Sequence, residues 1–256
     1  MIYKTITHEL ITKKVNLLHN VLQKESRKTL IVGVSGGVDS AVVLGFLKAL
    51  DTMYPNTYTV IPILAPISES DGTTEQEEAY NLGKAVCTHF EYEEKFISLR
   101  EVAKACVNAL SLTSPYLQQQ NDYWLRPMAF YAEATRNENS ILVSTTNYSE
   151  WSLGWFSQYL DILGIHPIIE FYKSEVIAIA KYFNIPEEIL NTPPKGGLAS
   201  GRTDEQELGF TYQQFEDYEL GITVPHSVAN RIQDRINSSE FKRFRFNTDF
   251  IFRTEL

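Results

Sequence analysis

The sequence predicts an α/β protein, a doubly wound parallel sheet with helices on both faces, and three observations carry that prediction. Short β-branched runs alternate with longer segments of helical period along most of the chain. The first run, Leu30, Ile31, Val32 and Val34, is apolar without alternation, as a strand buried on both faces requires. It ends at Ser35-Gly36-Gly37, and a helical period begins at Ala41, so one tight turn links strand end to helix start. No internal repeat or low-complexity linker interrupts the pattern. A chain of 256 residues buries a full core, so residues 1–256 are read as one domain.

In chain order, Ile2 to Gln23 sets Ile6, Leu10, Val15, Leu18 and Leu22 at helical spacing, an amphipathic lead helix that packs and carries no chemistry. Tyr58 to Leu64 is the second strand. Ligands of open α/β sheets gather at the carboxyl ends of strands, so Ile63 and Leu64 lie either beside a ligand or in plain core. From Ser70 to His89, Asp71, Thr73 and Thr74 are candidate caps, and Glu75, Glu77 and Glu78 form the solvated start of a helix. Phe90 to Ile97 reads as a third strand, Leu99 to Leu110 and Arg126 to Arg136 as helices, and Ser140 to Ser144 as the next buried strand. That strand runs into Thr145-Thr146-Asn147-Tyr148-Ser149-Glu150, a turn that suits either a helix cap or a site at the strand's end.

A formal charge of −9 argues against a general nucleic-acid or membrane-surface binder, both of which want a basic face. Cys87 and Cys106, the only cysteines, sit in helical segments and read as buried small hydrophobes in a reducing compartment. The N-terminal segment, with Lys4, His8 and Glu9, reads as neither a signal peptide nor a membrane span, so the expected location is the cytoplasm.

The stretch Thr29 to Ser40, T-L-I-V-G-V-S-G-G-V-D-S, brings backbone N–H groups, two glycines and a helix N-terminus to one spot, which suits a phosphate. The plainer reading is a tight turn with Ser40 or Asp39 capping the helix. The string lacks the Lys of P-loop NTPases and the third Gly of the dinucleotide fingerprint. S-G-G-V-D-S instead resembles the PP-loop of the N-type ATP pyrophosphatases. That resemblance implies an adenine nucleotide alpha hydrolase-like fold with Gly33, Ser35, Gly36, Gly37 and Ser40 around the phosphates of ATP, Leu64 at the adenine, and Asp39 on Mg2+.

L-V-S-T-T-N-Y-S-E is similar to the L-V-x-G-T-x-N-x-S-E segment of NAD synthetases, which implies Thr145 at ATP and Glu150 as the second Mg2+ ligand. Phe171-Tyr172-Lys173-Ser174-Glu175 resembles that family's Y-K helix start, which implies Lys173 at the phosphates; a cation at a helix N-terminus is unfavourable unless an anion is bound there. Ile185-Pro186 with Pro193-Pro194, Thr203 to Tyr212 (T-D-E-Q-E-L-G-F-T-Y) and Ser239-Glu240-Phe241-Lys242-Arg243 extend the resemblance over most of the chain. It further implies Arg126 and Lys195 at ATP, and Tyr159, Asp161, Asp204, Glu205 and Lys242 at the acid substrate.

The departures from the family concentrate at that acid. K-Y-G-D-G-G-A-D is here Gln158 to Ile165, keeping Asp161 but losing the Lys, the paired glycines and the second Asp. Trp124 replaces the first Arg of A-R-x-R-M, Lys195 follows Pro-Pro where a Ser or Thr is usual, and Phe241 replaces the His of S-E-H-K-R. The resemblance implies a homodimeric ligase that adenylates a carboxylate with ATP and Mg2+ and aminates it with free ammonia, converting deamido-NAD to NAD. The departures keep open a ligase of the same mechanism for another carboxylic acid, and a non-catalytic nucleotide-binding relative.

Overall fold

The computed structural model describes residues 4–67, 75–157, 164–193 and 202–244. Helix α1 (His8–Lys24) leads into β1 (Thr29–Gly33), and α2 (Val38–Met53) crosses to β2 (Thr59–Leu64). Helix α3 (Glu75–His89) then reaches β3 (Lys95–Phe96), and α4 (Arg100–Ala109) with α5 (Pro115–Arg136) returns the chain to β4 (Ser140–Val143). Seven helices follow: α6 (Tyr148–Ser152), α7 (Lys173–Tyr182), α8 (Glu187–Leu190), α9 (Asp204–Leu208), α10 (Tyr212–Glu219), α11 (His226–Ser238) and α12 (Glu240–Phe244).

All four strands are parallel, in the order β3-β2-β1-β4. β1 therefore pairs with β2 on one side and with β4 on the other, so successive connections leave it in opposite directions. A crevice outside the carboxyl ends of β1 and β4 is the consequence, and it is where such sheets bind ligands. The doubly wound expectation holds.

The main core packs α1, α2 and α7 on the sheet, with Val15, Leu22, Leu30, Val42, Leu47 and Ile179 fully enclosed. A second cluster, Leu153, Tyr172, Leu208, Phe210, Tyr212, Phe215 and Ile232, joins the C-terminal helices to the end of α6 and the start of α7. A third holds α4 to α5 through Leu99, Ala103, Leu125 and Ala129.

Several element boundaries differ from the expectation, each for a local reason. The lead helix starts at His8 because Thr7 caps it, its side chain accepting from the Leu10 N–H. The loop helix starts at Val38, with Gly37 and not Ser40 or Asp39 as its cap residue. The third strand shrinks to Lys95–Phe96, an exposed edge pairing only with Ile63 and Leu64; short charged edges resist pairing with further chains. The helix expected from Arg126 begins at Pro115, capped by Ser114, and runs through Pro127 in its interior. The candidate caps Asp71, Thr73 and Thr74 lie outside the described residues. Cys87 and Cys106 lie in helices α3 and α4; Cys87 is buried as expected, whereas Cys106 is only partly buried, at the margin of the α4–α5 cluster.

Candidate active site

The turn after β1 folds on its own hydroxyls. Ser40 Oγ donates to Gly37 O at 2.9 Å and accepts from the Ser35 N–H at 3.2 Å, and the Gly37 N–H donates to Ser35 Oγ at 3.3 Å. Gly36 has φ +83°, and a Cβ there would stand 2.4 Å from Ala79 O of α3, so both conformation and space demand glycine. The result leaves the first turn of α2, whose N–H groups have no intrahelical acceptor, facing the crevice. Asp39 projects from that turn.

The turn after β4 does two jobs at once. Asn147 and Glu150 form a reciprocal capping box on α6, with Glu150 N–H to Asn147 Oδ1 at 2.9 Å and Asn147 N–H to Glu150 Oε2 at 3.1 Å. The Asn147 amide also donates to Asp39 Oδ1 at 2.8 Å, which ties the two crevice walls together. The cap reading is right for this turn, and the same residues face the crevice at the end of β4.

Lys173 opens α7 from a buried position, 5% exposed. Its ammonium donates to Asp39 Oδ2 and stands 4.0 Å from Glu150 Oε1. The anion that this helix start requires is thus the protein's own Asp39. The α7 amides are spoken for: the Lys173 N–H donates to Ser149 Oγ at 3.1 Å, and the Ser174 N–H to Glu216 Oε1 at 3.0 Å. Glu216 is fully buried and also accepts from Ser174 Oγ at 2.5 Å. The Lys173 side chain, by contrast, reaches Asp39 and Glu150 at the crevice.

Asp204, at the start of α9, stands behind this pair. Its Oδ2 accepts from the Tyr212 hydroxyl at 3.2 Å and the Trp155 side chain also bonds the carboxylate, while Oδ1 is buried with no partner among the described residues. Burial, then the neighbouring charge of Asp39, holds the Glu150 carboxyl well above its ordinary range. Burial opposes the charged form of Lys173, but Asp39 and Glu150 outweigh it and raise its pKa. Burial likewise raises Asp204.

The remaining expected residues divide. Thr145 lies at the end of β4 beside the crevice. Gly33 is where the Phe130 ring of α5 packs, since a Cβ there would meet it at 2.6 Å. Leu64 is in the core, 2% exposed, against Gly83 of α3. Arg126 donates from Nε to Ala65 O at 3.3 Å, just past β2, and burial lowers its pKa. Glu205 accepts from the Tyr212 N–H at 2.9 Å, and Lys242 Nζ donates to Gly154 O and Phe156 O, both at 2.8 Å. These last two join elements of the fold. Tyr159, Asp161 and Lys195 lie outside the described residues.

Sequence reasoning assigned no role to Asn147, Ser149, Tyr212 or Glu216. Asn147 and Ser149 stood inside one motif already singled out and Tyr212 inside another; Glu216, flanked by Gln213, Gln214 and Asp217, carries no local signal, and its role shows only once α10 is docked.

The NAD synthase family model matches residues 10–245. An NH(3)-dependent NAD(+) synthetase of Mesoplasma florum is 30% identical over 234 residues, 90% of this chain and 91% of the relative. Among solved structures, an NMN synthetase from Francisella tularensis matches with a TM-score of 0.82 at 28% identity, over 94% of this chain and 97% of that one. An NH3-dependent NAD synthetase from Campylobacter jejuni, crystallised with nitrate, matches at 0.73 and 22% identity over 92% and 95%, a likeness of fold alone. The sheet order and crevice, the PP-loop turn with its Asp39, and a family model covering most of the chain agree: this chain belongs to the NAD synthase family.

Proposed function

We propose that this protein is an ATP-dependent, ammonia-using amide ligase of the cytoplasm that converts deamido-NAD to NAD. The observation that carries the reading is the convergence of Lys173, Asp39 and Glu150 beside the glycine turn at the sheet's crevice. A carboxylate is a poor electrophile. Its oxygen attacks the α-phosphorus of ATP, pyrophosphate leaves with the bonding pair, and the resulting acyl adenylate has a good leaving group. Ammonia then forms the C–N bond as the C–O bond to AMP breaks and a proton leaves nitrogen.

The α2 amides and the Ser35 and Ser40 hydroxyls hold the departing pyrophosphate. Lys173 neutralises it as a point cation, and Thr145 borders the nucleotide. The donor set suits Mg2+: two carboxylates already converge on a cation, here the ammonium of Lys173, and Mg2+ commonly takes one or two carboxylates with substrate phosphates. Asp39 and Glu150 would hold it, and when bound it supplies charge neutralisation at phosphate oxygens. The acid side is assigned to Tyr159, Asp161, Asp204, Glu205 and Lys242, and the ATP side also to Arg126 and Lys195.

A second reading, amidation of the smaller mononucleotide acid to NMN, is favoured by the likeness to the Francisella NMN synthetase and by Trp124 standing where the family has an Arg. Release of AMP and pyrophosphate with ammonium, measured on deamido-NAD, nicotinate mononucleotide and simple carboxylic acids, separates the two. Turnover of neither nucleotide overturns both.

The working unit is proposed as a homodimer. Leu117, Trp124, Met128 and Tyr131 of α5 are exposed at heptad-like spacing, a stripe suited to a second copy of the same helix. Met128→Glu combined with Tyr131→Glu should give monomers by light scattering; a monomeric wild type overturns the dimer.

A further inference from the structure

Resting on the reading of Asp39 and Glu150 as the metal pair, we infer that Asp204 is a positioning residue that receives the Lys173 ammonium when a divalent cation takes that pair. Lys173 then has one anchoring carboxylate for each state of the site. With Nζ bonded to Asp39 and 4.0 Å from Glu150, the ammonium occupies the space such an ion needs. The ion repels it. A side chain only 5% exposed cannot carry its charge into bulk water without leaving its packed position, so it needs another acceptor within reach of its four-carbon stem.

Asp204 supplies one. It is 4% exposed, Oδ2 is engaged by Tyr212, and Oδ1 is buried without a hydrogen-bond partner among the described residues. An orphaned carboxylate oxygen in such a place costs free energy unless a second state uses it. Tyr212 lies along the way: its ring centroid is 5.6 Å from Lys173 Nζ while its hydroxyl rests on Asp204. The ammonium crosses the face of an aromatic ring, which attracts a cation. The backbone stays where it is, because the Lys173 and Ser174 amides are held by Ser149 and Glu216. No covalent bond changes.

The test is a double-mutant cycle read by Mn2+ binding to the full chain, followed by electron paramagnetic resonance without ATP or acid. Lys173→Met should tighten Mn2+ about tenfold, because the competing cation is gone. Asp204→Asn should weaken Mn2+ about tenfold when Lys173 is present. It should change affinity less than twofold in the Lys173→Met background, where no ammonium has to be rehoused. Equal weakening in both backgrounds overturns the proposal, since Asp204 would then act on the ion through its charge alone. Asp204→Ser is read the same way if the Asn variant does not fold. Asp39→Asn tests the pair itself: undiminished Mn2+ binding there overturns the pair and the handover together. Lost binding there with equal effects of Asp204→Asn keeps the pair and removes the handover alone.

Discussion

Asp39, Asn147, Glu150 and Lys173 hang from the ends of β1 and β4 and from the start of α7, and each is held by a bond to another of them or by its own helix cap. The residues proposed for the acid are framed differently: Asp204 and Glu205 sit on the five-residue α9 and Lys242 on the equally short α12, each held by bonds to Tyr212 or to the segment after α6, while Tyr159 and Asp161 lie outside the described residues. In the proposed reading the nucleotide side keeps the family's motifs, and the chain departs from them on the acid side at Trp124, Phe241 and the segment from Gln158 to Ile165. Chemistry that needs fixed charges is served by parallel strand ends, whereas binding determinants placed on short elements and loops tolerate change more readily.

The largest effect is expected where that contrast is sharpest. Lys173→Met removes the cation proposed to act on charge developed in the transition state, so turnover should fall by roughly a hundred- to a thousandfold, a loss of about 2.7 to 4 kcal/mol. Lys242→Met breaks two bonds to carbonyls that tie α12 to the segment after α6, and should lower the melting temperature more than it slows ATP–pyrophosphate exchange. Similar exchange rates for the two variants would erase the distinction between the halves.

Gly36→Ala comes next. It forces an L-residue into the left-handed region and sets a Cβ 2.4 Å from the Ala79 carbonyl, a rigid backbone atom. The strain and overpacking together should destabilise the fold by about 2 to 4 kcal/mol, with loss of ATP binding, as read by urea unfolding and nucleotide titration. A variant that melts with wild type would mean that α3 yields.

How much of this was legible follows from how far apart the partners lie in sequence. The β1–α2 turn, Glu150 and Lys173 belong to short strings whose chemistry needs no distant partner to be recognised. The Asn147 bond to Asp39 spans 108 positions, and the Glu216 anchor of α7 spans 42, so neither leaves a local pattern. A proline at 127 disfavours a helix that runs through it, since proline suits a first turn and disrupts an interior. Packing of Leu125 and Ala129 against α4 outweighs that cost and carries the helix back to Pro115. The third strand shortened for want of a second neighbour: Lys95 and Phe96 pair with β2, the Ile97 N–H still donates to Leu64 O at 2.9 Å, and no strand pairs on its other side among the described residues.

The acid half offers a smaller, sharper test. Trp124 is half exposed on α5 where the family has an Arg. Trp124→Arg restores a charge-assisted donor worth roughly 1.5 to 3 kcal/mol, so KM for deamido-NAD should fall about tenfold or more with kcat little changed. An unchanged KM would place substrate choice elsewhere, in the segment from Gln158 to Ile165.

The smallest effect concerns protons, and it again separates the halves, since Glu150 is proposed for the nucleotide side. Its carboxyl titrates above the ordinary range because it is buried and then because Asp39 is near, whereas in the unfolded chain it titrates near 4.5. Between those two values the folded protein holds a proton that the unfolded chain has lost. Stability therefore falls as pH rises through that window, with a slope of at most about 1.4 kcal/mol per pH unit for one proton. Below pH 4.5 both states carry the proton and the slope from this group vanishes. Glu150→Gln keeps the shape and removes the titration, so its urea-derived stability should lose this downward slope above pH 4.5, when measured without nucleotide or divalent ions. If wild type and variant run parallel across the whole range, the Lys173 ammonium neutralises Glu150 more fully than its 4.0 Å separation implies.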